Sequence, residues 1–451
     1  MSSSSTSLKN WLTDRVGLVR ARQFLDGLRH SLSFVPGLYV IGSIVVVQST
    51  LFIDRQIGDD TLPVILTTTV DSSRAVLGAL AGGLITSITL LLSMMLITIQ
   101  LASAQFSPRT LRDWLGNRLM QHTVGLALGT TVFSLLALRA ARTFGEGTDS
   151  TDITPHISVL VALALGVVAL FGVVRSVDHV THSVRIGSVS RRIANETIAV
   201  VEARDELDAG QRPGSTPALG VESDAIGDIP DTAGAVEASH AGWIQQIDED
   251  AILDALPAGS TGYVHAPLGA FVPKSAPLIW VDPPPDDELC AQLLEAFATG
   301  DSRTMQQDIS FGLVQLTDIA VRALSPGVND PSTASDIIVQ IGNVMLSIWS
   351  QDEAPSERVD RDRTLIRHRV AHAEHLRRAF DPIRRYGAAD PHVMTSLVRE
   401  LRMLRSESER RALPGPTDPI DQMIRAVDDT ADRSLWSQAE HDEFDGLIAL
   451  G

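Results

Sequence analysis

The chain has little or none of several features that mark common protein classes. Cys290 is its one cysteine among 451 residues, so no internal disulfide can form, which fits a reducing compartment. It has no phosphate-binding P-loop, no dinucleotide-binding glycine pattern, no protein-kinase motif set and no Gly-x-Ser-x-Gly nucleophile turn. Because no catalytic constellation is visible, we do not expect an enzyme.

A ligand set for a metal or a covalent cofactor is also missing. His368, His372 and His375 are spaced to share a helical face, but arginines crowd this segment and disfavour a bound cation. The segment around Lys274 resembles the hairpin of biotinyl- and lipoyl-type half-barrels. It lacks the Met-Lys-Met or Asp-Lys-Ala tip that carries the cofactor in those domains. We therefore expect neither a metal nor a cofactor.

Basic residues are scarce in the second part of the chain. Residues 1–175 hold 13 Lys/Arg and 10 Asp/Glu, whereas residues 176–451 hold 24 Lys/Arg and 45 Asp/Glu. The second part therefore has a net charge of −21, and the whole chain −18. Such an acidic domain repels nucleic acid and anionic lipid head groups, so we expect no nucleic-acid partner.

Long apolar runs are abundant in residues 1–175. Each lacks charge at its centre and has close to the ~20 residues with which a helix crosses a bilayer. Four such runs predict four transmembrane helices and the lipid bilayer as a partner. No Asp, Glu, Lys or Arg lies in the middle of a run, which argues against a proton relay or an ion-coupled carboxylate. The runs are 33–53, 75–104, 119–138 and 157–174.

The residues flanking the runs indicate the orientation. Arginines and a lysine collect before the first run, between the second and third, and after the fourth, while the other two loops carry more acidic residues. Under the positive-inside rule this pattern places both termini in the cytoplasm. We therefore predict a multi-pass protein of the cell's inner (plasma) membrane. The N-terminal run has no small-residue cleavage site after it, so we expect an uncleaved anchor.

The second run carries an unusual polar stripe. Gly78, Gly82 and Gly83 would allow close approach of another helix. One interpretation is helix packing, in which the hydroxyls bond to backbone carbonyls; the other is the wall of a water-filled pore in a homo-oligomer. Gln100 is the residue hardest to reconcile with a lipid-facing position. Five polar residues fall within an arc of ~100° on a helix of 3.6 residues per turn: Thr86, Thr89, Ser93, Gln100 and Ser103.

These patterns predict a fold with four transmembrane helices plus an α+β cytoplasmic domain. Strand-like pieces such as Gly-Trp-Ile-Gln-Gln-Ile and Thr-Gly-Tyr-Val-His-Ala place the β structure in one small unit. The rest of the cytoplasmic part is expected to be helical. The predicted segments are a cytoplasmic N-terminal segment (1–32), the transmembrane domain (33–175), a juxtamembrane helix (176–208), a flexible linker (209–239), the β-rich unit (240–282) and a helical domain (283–451).

The most informative segment runs from Arg303 to Ile337. A helix is predicted to end at Ser325-Pro326-Gly327, with Gly327 supplying a backbone angle that other residues resist. Asp330 is a good cap for the next helix, with Pro331 at its first position. Asp318 and Arg322 form an acidic-before-basic pair four residues apart, the favourable order.

The polar residues of this segment allow two interpretations. In the first, they form a structural helix–turn–helix corner with a salt bridge. In the second, they form a ligand site, where either Arg303, Arg322 and a helix N-terminus converge on an anion or the carboxylates converge on a cation. Six of these polar groups lie within 28 residues, more than a buried corner needs. The candidate polar site is Arg303, Asp308, Asp318, Arg322, Ser325, Gly327, Asn329, Asp330 and Thr333.

The string Arg-Ala-Leu-Ser-Pro-Gly-Val-Asn-Asp-Pro-Ser-Thr-Ala, residues 322–334, resembles the signature of the domain of unknown function 2254 family. The segment Ile-Gln-Leu-Ala-Ser-Ala-Gln-Phe-Ser-Pro-Arg-Thr-Leu, which ends the second run, is similar to that family's second landmark. This resemblance implies four N-terminal spans and a soluble C-terminal region in a bacterial membrane protein, but it implies no activity.

Three functions therefore stay open. The leading hypothesis is an oligomeric channel for a small ion or solute, gated by its cytoplasmic domain, which the polar second span favours. The alternative is a membrane-anchored sensor or scaffold whose spans only pack. A membrane enzyme comes third, because no catalytic residues are visible. A pore predicts that the polar face of the second span lines an axis of symmetry, and a scaffold predicts that the same chain buries it.

Overall fold

The computed structural model describes residues 33–56, 69–105, 118–141, 155–183, 186–209, 229–351, 356–413 and 417–449. The chain divides into two compact units. We call Arg20–Arg185 the apolar unit and Ile186–Gly451, with which Met1–Val19 are grouped, the C-terminal unit. The predicted cytoplasmic segment 1–32 lies outside the described residues.

The apolar unit contains four helices long and apolar enough to cross a membrane, as the four apolar runs predict. The third helix packs against the other three, and 56% of its most apolar stretch is buried, against 22–28% for the others. Fully buried side chains such as Leu77 and Phe133 form the contact between neighbouring helices. The bounds are α1 Phe34–Gln56, α2 Val70–Gln105, α3 Arg118–Ala140 and α4 His156–Ser183.

Nine helices with described bounds belong to the C-terminal unit. The first of them begins two residues after α4 ends, and its buried face (Val189, Ile193, Val201) belongs to the core of this unit. Residues 433–435 form a short 3₁₀ turn. The bounds are α5 Ile186–Ala209, α6 Glu249–Ala255, α7 Asp287–Glu295, α8 Ile309–Ala323, α9 Pro331–Trp349, α10 His372–Tyr386, α11 Pro391–Arg411, α12 Thr417–Thr430 and α13 Gln438–Ala449.

Two small sheets accompany these helices. One has the strand order β1-β5-β3-β8-β7, with β3 and β8 parallel and the other neighbours antiparallel. The other is antiparallel with the order β4-β2-β6. Ile252, Ile279 and Leu365 meet in the core beneath them. The strands are β1 Gly234–Glu237, β2 Gly242–Ile247, β3 Thr261–Val264, β4 Phe271–Val272, β5 Pro277–Asp282, β6 Phe297–Gly300, β7 Glu357–Asp360 and β8 Arg363–Arg367.

The β structure departs from the predicted segments in three ways. β1 lies inside the predicted linker, and β6, β7 and β8 lie inside the predicted helical domain. The pieces around Lys274, which were expected to pair, lie in different sheets: β4 pairs with β2, whereas β5 pairs with β1 and β3. The new strands have four or five residues each, too few for an alternating pattern to stand out, and β8 joins its sheet from about 100 residues away.

Two helical hairpins, α8–α9 and α10–α11, pack against each other, and β7 and β8 lie between them in sequence. The Thr317 hydroxyl of α8 donates to the Ala379 carbonyl of α10 at 3.1 Å. Ser310, two turns earlier on α8, lies near His375, one turn earlier on α10. The Ser396 hydroxyl of α11 donates to that of Ser335 on α9 at 3.0 Å. The contacts advance together along both helices, so α8 runs parallel to α10. The α8–α9 and α10–α11 corners therefore lie at the same end of this helical layer.

Candidate functional site

The corner between α8 and α9 is the first candidate site. The Asp330 carboxylate caps α9 by accepting the Thr333 hydroxyl at 2.6 Å and the Thr333 backbone N–H at 3.1 Å. These bonds, above all that from the hydroxyl, hold the pKa of Asp330 below its usual value. Pro331 is the first residue of the helix, where a missing N–H has little cost. The predicted corner and its Asp330 cap are confirmed.

Such capping leaves little room for a bound anion. The positive end of α9 is already occupied by the Asp330 carboxylate. Asp308 fills the same position on α8, where it accepts the backbone N–H of Phe311 at 3.1 Å. Both helix N-termini therefore carry an anion that belongs to the chain itself.

Arg303 and Asp308 form a cluster of their own at the start of α8. The Arg303 Nε donates to the Asp308 carboxylate at 2.5 Å, and its guanidinium lies 5.3 Å from the centroid of the Phe311 ring. Gly269, with φ +76°, backs onto the pair, because a Cβ there would lie 2.6 Å from Arg303 Nε. Asp308 is 4% exposed, so this ion pair is largely buried where the β3–β4 loop approaches the start of α8.

The predicted polar site is therefore divided between the two ends of α8. Arg303 and Asp308 lie at its N-terminal end, whereas Arg322 and Ser325 lie at its C-terminal end. A helix of 15 residues is about 22 Å long at 1.5 Å per residue. The idea that Arg303 and Arg322 converge on one ligand is wrong because this helix separates them. Asp318 is half-buried between the two ends, and its pairing with Arg322 stays a prediction.

The loop at this corner is exposed from Pro326 to Asn329. A Cβ on Gly327 would meet nothing within 4 Å, and its φ lies outside the left-handed region. The left-handed residue is Asn329, with φ 48°. The expectation that Gly327 supplies the unusual angle is therefore wrong, because asparagine tolerates that conformation and takes the role. Neither space nor backbone angle explains a glycine at 327.

The corner between α10 and α11, which we call the second corner, provides an internal control for the α8–α9 corner, the first corner. Gly387, Asp390 and Pro391 repeat the Gly-x-x-Asp-Pro pattern sixty residues later. Asp390 accepts the Val393 backbone N–H at 3.0 Å and caps α11. Here glycine is needed, because a Cβ at Gly387 would lie 2.5 Å from the Val393 side chain and 3.0 Å from the Ile383 carbonyl. Sequence reasoning missed this repeat, although the shared pattern was available to find it.

The first corner has extra polar groups that the second corner lacks. Ser325 donates to the Arg322 carbonyl at 2.6 Å, and Thr333 adds a hydroxyl bond to the cap. The second corner has Ala389 where the first has Asn329, and Val393 where it has Thr333. Since both corners turn the chain, these additions exceed what the turn itself requires.

The polar stripe of α2 is the second candidate site. Thr86, Thr89, Ser93 and Gln100 are exposed, and the Ser103 side chain lies outside the described residues. The Thr86 hydroxyl donates to the Gly82 carbonyl at 3.0 Å, and that of Thr89 donates to the Ile85 carbonyl at 2.9 Å. A Cβ on Gly78, Gly82 or Gly83 would meet nothing within 4 Å. Among the described residues, this face of α2 is not covered by the same chain.

On α3, in contrast, two glycines lie in close contact with a neighbouring helix. A Cβ at Gly125 would lie 2.6 Å from the Tyr39 ring, and one at Gly129 would lie 3.0 Å from the Tyr39 carbonyl. Polar side chains on α3 point inward as well: the Ser176 hydroxyl of α4 donates to that of Thr123 at 2.9 Å. Sequence reasoning predicted this helix but missed its inward-facing glycines and hydroxyl residues. The available signal was that α3 is the least apolar of the four while carrying two glycines four residues apart.

Asp54 makes a further contact that the sequence did not reveal. It lies in the last turn of α1, is 8% exposed, and caps α4. Its carboxylate accepts the backbone N–H groups of Ile157 at 2.8 Å and Ser158 at 3.1 Å, and the Ser158 hydroxyl at 2.6 Å. This acid therefore joins the end of α1 to the start of α4.

The described residues contain no group of three or more His, Cys, Asp or Glu placed to hold a metal ion. His368 lies before α10, which begins at His372, so the three histidines do not share a helical face. Burial lowers the pKa of His375 to about 3, with smaller contributions from His372, Arg204 and Arg378. This imidazole is therefore neutral at physiological pH.

Comparison with known proteins adds a family but no activity. The curated relatives include the uncharacterized protein Mb1321c of Mycobacterium bovis and the uncharacterized protein Rv1290c of Mycobacterium tuberculosis. Each is 28% identical to this chain over 452 residues, covering 96% of this chain and 81% of the relative. No solved structure matches the chain.

The family model described as "Predicted membrane protein (DUF2254)" matches residues 29–403. That range holds all four apolar helices and both Gly-x-x-Asp-Pro corners. The match covers most of both units, so the chain belongs to this family of predicted membrane proteins, the domain of unknown function 2254 family.

Proposed function

We propose that the protein is an oligomeric channel of the inner membrane, in which copies of α2 surround a path for a small ion or solute and the C-terminal unit gates it from the cytoplasm. The observation that carries this proposal is the exposed polar and glycine face of α2. A span that only packs within its own chain would bury such a face. Ser73 and Thr98 of α2 are buried, but the stripe residues Thr86, Thr89, Ser93 and Gln100 on the same helix are exposed.

Two features of this face suit contact with a second copy and with water. Gly78 and Gly82 are four residues apart, the spacing at which helices in membranes approach closely. The hydroxyls of Thr86 and Thr89 give their hydrogens to their own helix, so their outward-facing atoms are oxygen acceptors. No charged residue occurs from 75 to 105, and Asp71 continues the stripe at its other end. Acceptor oxygens and a carboxylate favour cations or neutral solutes over anions.

Gln100 is a polar residue that would be costly in contact with lipid tails, but its position along α2 explains why it can be exposed. Ile99 packs in the cluster that contains Val177, which lies between the two members of the exposed Arg175–Asp178 pair. Charged side chains occur at this level of the bundle, so Gln100 belongs at the head-group level and not at the bilayer centre. In the proposed channel it marks the inner mouth.

The basic residues support an orientation with both termini in the cytoplasm. Arg118 and Arg175 lie at the same end of the bundle, because Met120 and Val173 pack in one cluster. The Lys/Arg-rich flanks of the sequence coincide with this end. Cysteines replacing Thr61 and Gly147 in a Cys290→Ser background should react with an impermeant reagent in intact cells. Labelling at a cysteine replacing Ser107 would contradict this orientation and indicate the opposite one.

The channel is tested by flux through the purified protein in lipid vesicles, with potassium as the probe ion. The double variant Ser93→Leu/Gln100→Leu should abolish the flux because it makes the path apolar at two levels. The matched control is Gln48→Leu/Ser49→Leu on α1, where both residues are also exposed. This control should keep wild-type flux.

Two results would contradict the proposal. Equal loss in the α1 control would mean that the path does not follow α2. No flux of potassium or of a neutral solute from the wild type, in protein whose fold is intact, would favour the sensor or scaffold instead.

A further inference from the structure

Glu400 is a buried acid to which no activity has been assigned. It lies on α11, it is 7% exposed, and its Oε1 has no hydrogen-bond partner among the described residues. Glu407, seven residues later on the same helix, is bonded to Arg410 and Arg411. The two acids share a helix but differ in surroundings, since Glu407 is paired with arginines, whereas Glu400 has a buried oxygen that meets no hydrogen-bond donor among the described residues.

A notch in α9 accommodates the Glu400 carboxyl. A Cβ on Gly342 would overlap Oε1 and lie 2.6 Å from Cδ and 3.0 Å from Cγ. Glycine at 342 therefore leaves the space that the carboxyl fills. Leu401 and Leu404 are fully buried on the same helix, so the carboxyl occupies an apolar contact between α9 and α11.

The charged groups on neighbouring helices have other partners or point to solvent. Asp336, the only titratable residue of α9, is exposed. On the other helices packed on α11, Asp421 of α12 pairs with Arg405, Glu443 of α13 with Arg399, and Arg384 of α10 with Asp381. Burial alone raises the pKa of Glu400 to about 7, with no contribution from a nearby charge.

We propose that the protonated Glu400 carboxyl holds α9 and α11 together and that its ionisation loosens this contact, which makes the C-terminal unit a sensor of proton activity. A neutral carboxylic acid fits an apolar notch, whereas a carboxylate there is a buried charge without a partner. The effect reaches beyond the pair because α9 begins at the α8–α9 corner and also packs against α5. Just past the end of α9, the Gln351 side chain donates to the Val201 carbonyl of α5 at 2.8 Å.

The direction of the pH effect follows from proton binding. The folded contact keeps its proton up to about pH 7, whereas in an open state the group loses it near its ordinary pKa of about 4.3. Stability of the contact is therefore complete at low pH, falls as the pH rises between these two values, and stays constant above them. Raising the pH from 6 to 8 should increase opening by about tenfold.

Amide hydrogen exchange on the full-length protein in lipid nanodiscs tests this proposal at pH 6 and pH 8, after correction for intrinsic exchange. In the wild type, α9 and α11 should open about tenfold more at pH 8. Glu400→Gln should remove this difference, because glutamine stays neutral, and Glu407→Gln should keep it. Persistence of the full pH dependence in Glu400→Gln would overturn the proposal, as would its absence in the wild type.

A second measurement detects the protonated carboxyl directly. The infrared stretching band of a protonated carboxyl should be present in the wild type at pH 6 and absent at pH 8. Gly342→Ala should displace the carboxyl into solvent and remove the band at pH 6. A band unchanged from pH 6 to pH 8 would show that Glu400 does not titrate in this range. Neither measurement depends on transport, so a failure of the channel proposal leaves this one standing.

Discussion

The second and third helices of the apolar unit carry the same motif in opposite surroundings. Each has two glycines four residues apart, Gly78 and Gly82 on α2 and Gly125 and Gly129 on α3, together with several hydroxyl residues. On α3 the glycines receive Tyr39 of α1, whereas on α2 they meet nothing. One motif therefore builds the unit, and the other is not covered by the described part of the chain; in the proposed channel it contacts a second copy.

This difference shows that α3, the least apolar of the four helices, is the one most covered by neighbouring helices. A polar or small residue tolerates the bilayer when a neighbouring helix supplies its contacts. α3 has neighbours on all sides and α2 does not. The same logic separates the two corners of the C-terminal unit, where Gly387 is enclosed and Gly327 is open. Each pair can be tested by making the same substitution at both positions.

The largest contrast should come from Gly129→Leu and Gly78→Leu. At Gly129 the new side chain meets the Tyr39 backbone, which cannot give way as a side chain can. We expect a loss of about 3 kcal/mol, the upper end for overpacking. At Gly78 we expect no loss of monomer stability. Thermal unfolding in detergent measures both variants.

Oligomeric state sharpens this first contrast. Gly78→Leu should reduce the mass of the assembly in nanodiscs while leaving each copy folded, if α2 is the contact between copies. Equal thermal stability of the two variants would remove the distinction between inner and outer glycines.

A smaller contrast is expected between Gly387→Ala and Gly327→Ala. The methyl group at 387 presses on Val393 and on the Ile383 carbonyl, which should cost about 1–3 kcal/mol. The methyl group at 327 has open space and no unusual φ, so the change in unfolding free energy should be close to zero. Chemical denaturation followed by tryptophan fluorescence can measure both. Strong destabilisation by Gly327→Ala would contradict the open geometry of the first corner.

The smallest contrast lies between Asp330→Ala and Asp390→Ala. Each variant loses a helix cap, which costs about 0.5–2 kcal/mol. Asp330 also accepts the Thr333 hydroxyl and Asp390 has no counterpart of that bond, so the first variant should be the more destabilised. Flux measured beside stability separates the roles. If both variants keep wild-type flux, the first corner is a turn and nothing more.

Much of the fold was accessible to sequence reasoning because its signals are local. Four apolar runs gave four helices, and Asp-Pro at 330–331 gave a capped helix start. The sheets were not accessible in full, because β8 pairs with β3 across about 100 residues and nothing in a five-residue strand specifies that partner. Asp54 was missed for a similar reason, since its partners begin at Ile157.

The candidate site shows a different limit. Spacing along α8 placed Arg303 and Arg322 within one segment, but the length of the helix holds them apart. Glu400 was invisible in the sequence because its burial depends on Gly342, on another helix. Which polar residues point outward on α2 also depends on neighbours that a helical period does not supply. The sequence thus indicated which residues are polar, and the packing decided which are exposed.

The central place of α3 has a consequence for how the chain is made. Residues such as Gln121, Thr130 and Ser134 are buried only once the other helices surround them. During synthesis α3 leaves the ribosome after α1 and α2 and before α4, so the full set of helices that covers its polar side chains is complete only after α4 has been made. The Asp54 carboxylate of α1 accepts hydrogen bonds from the first residues of α4 and so joins the first helix of the unit to the last. Full burial of the polar residues of α3 therefore depends on the last helix of the unit to be synthesised.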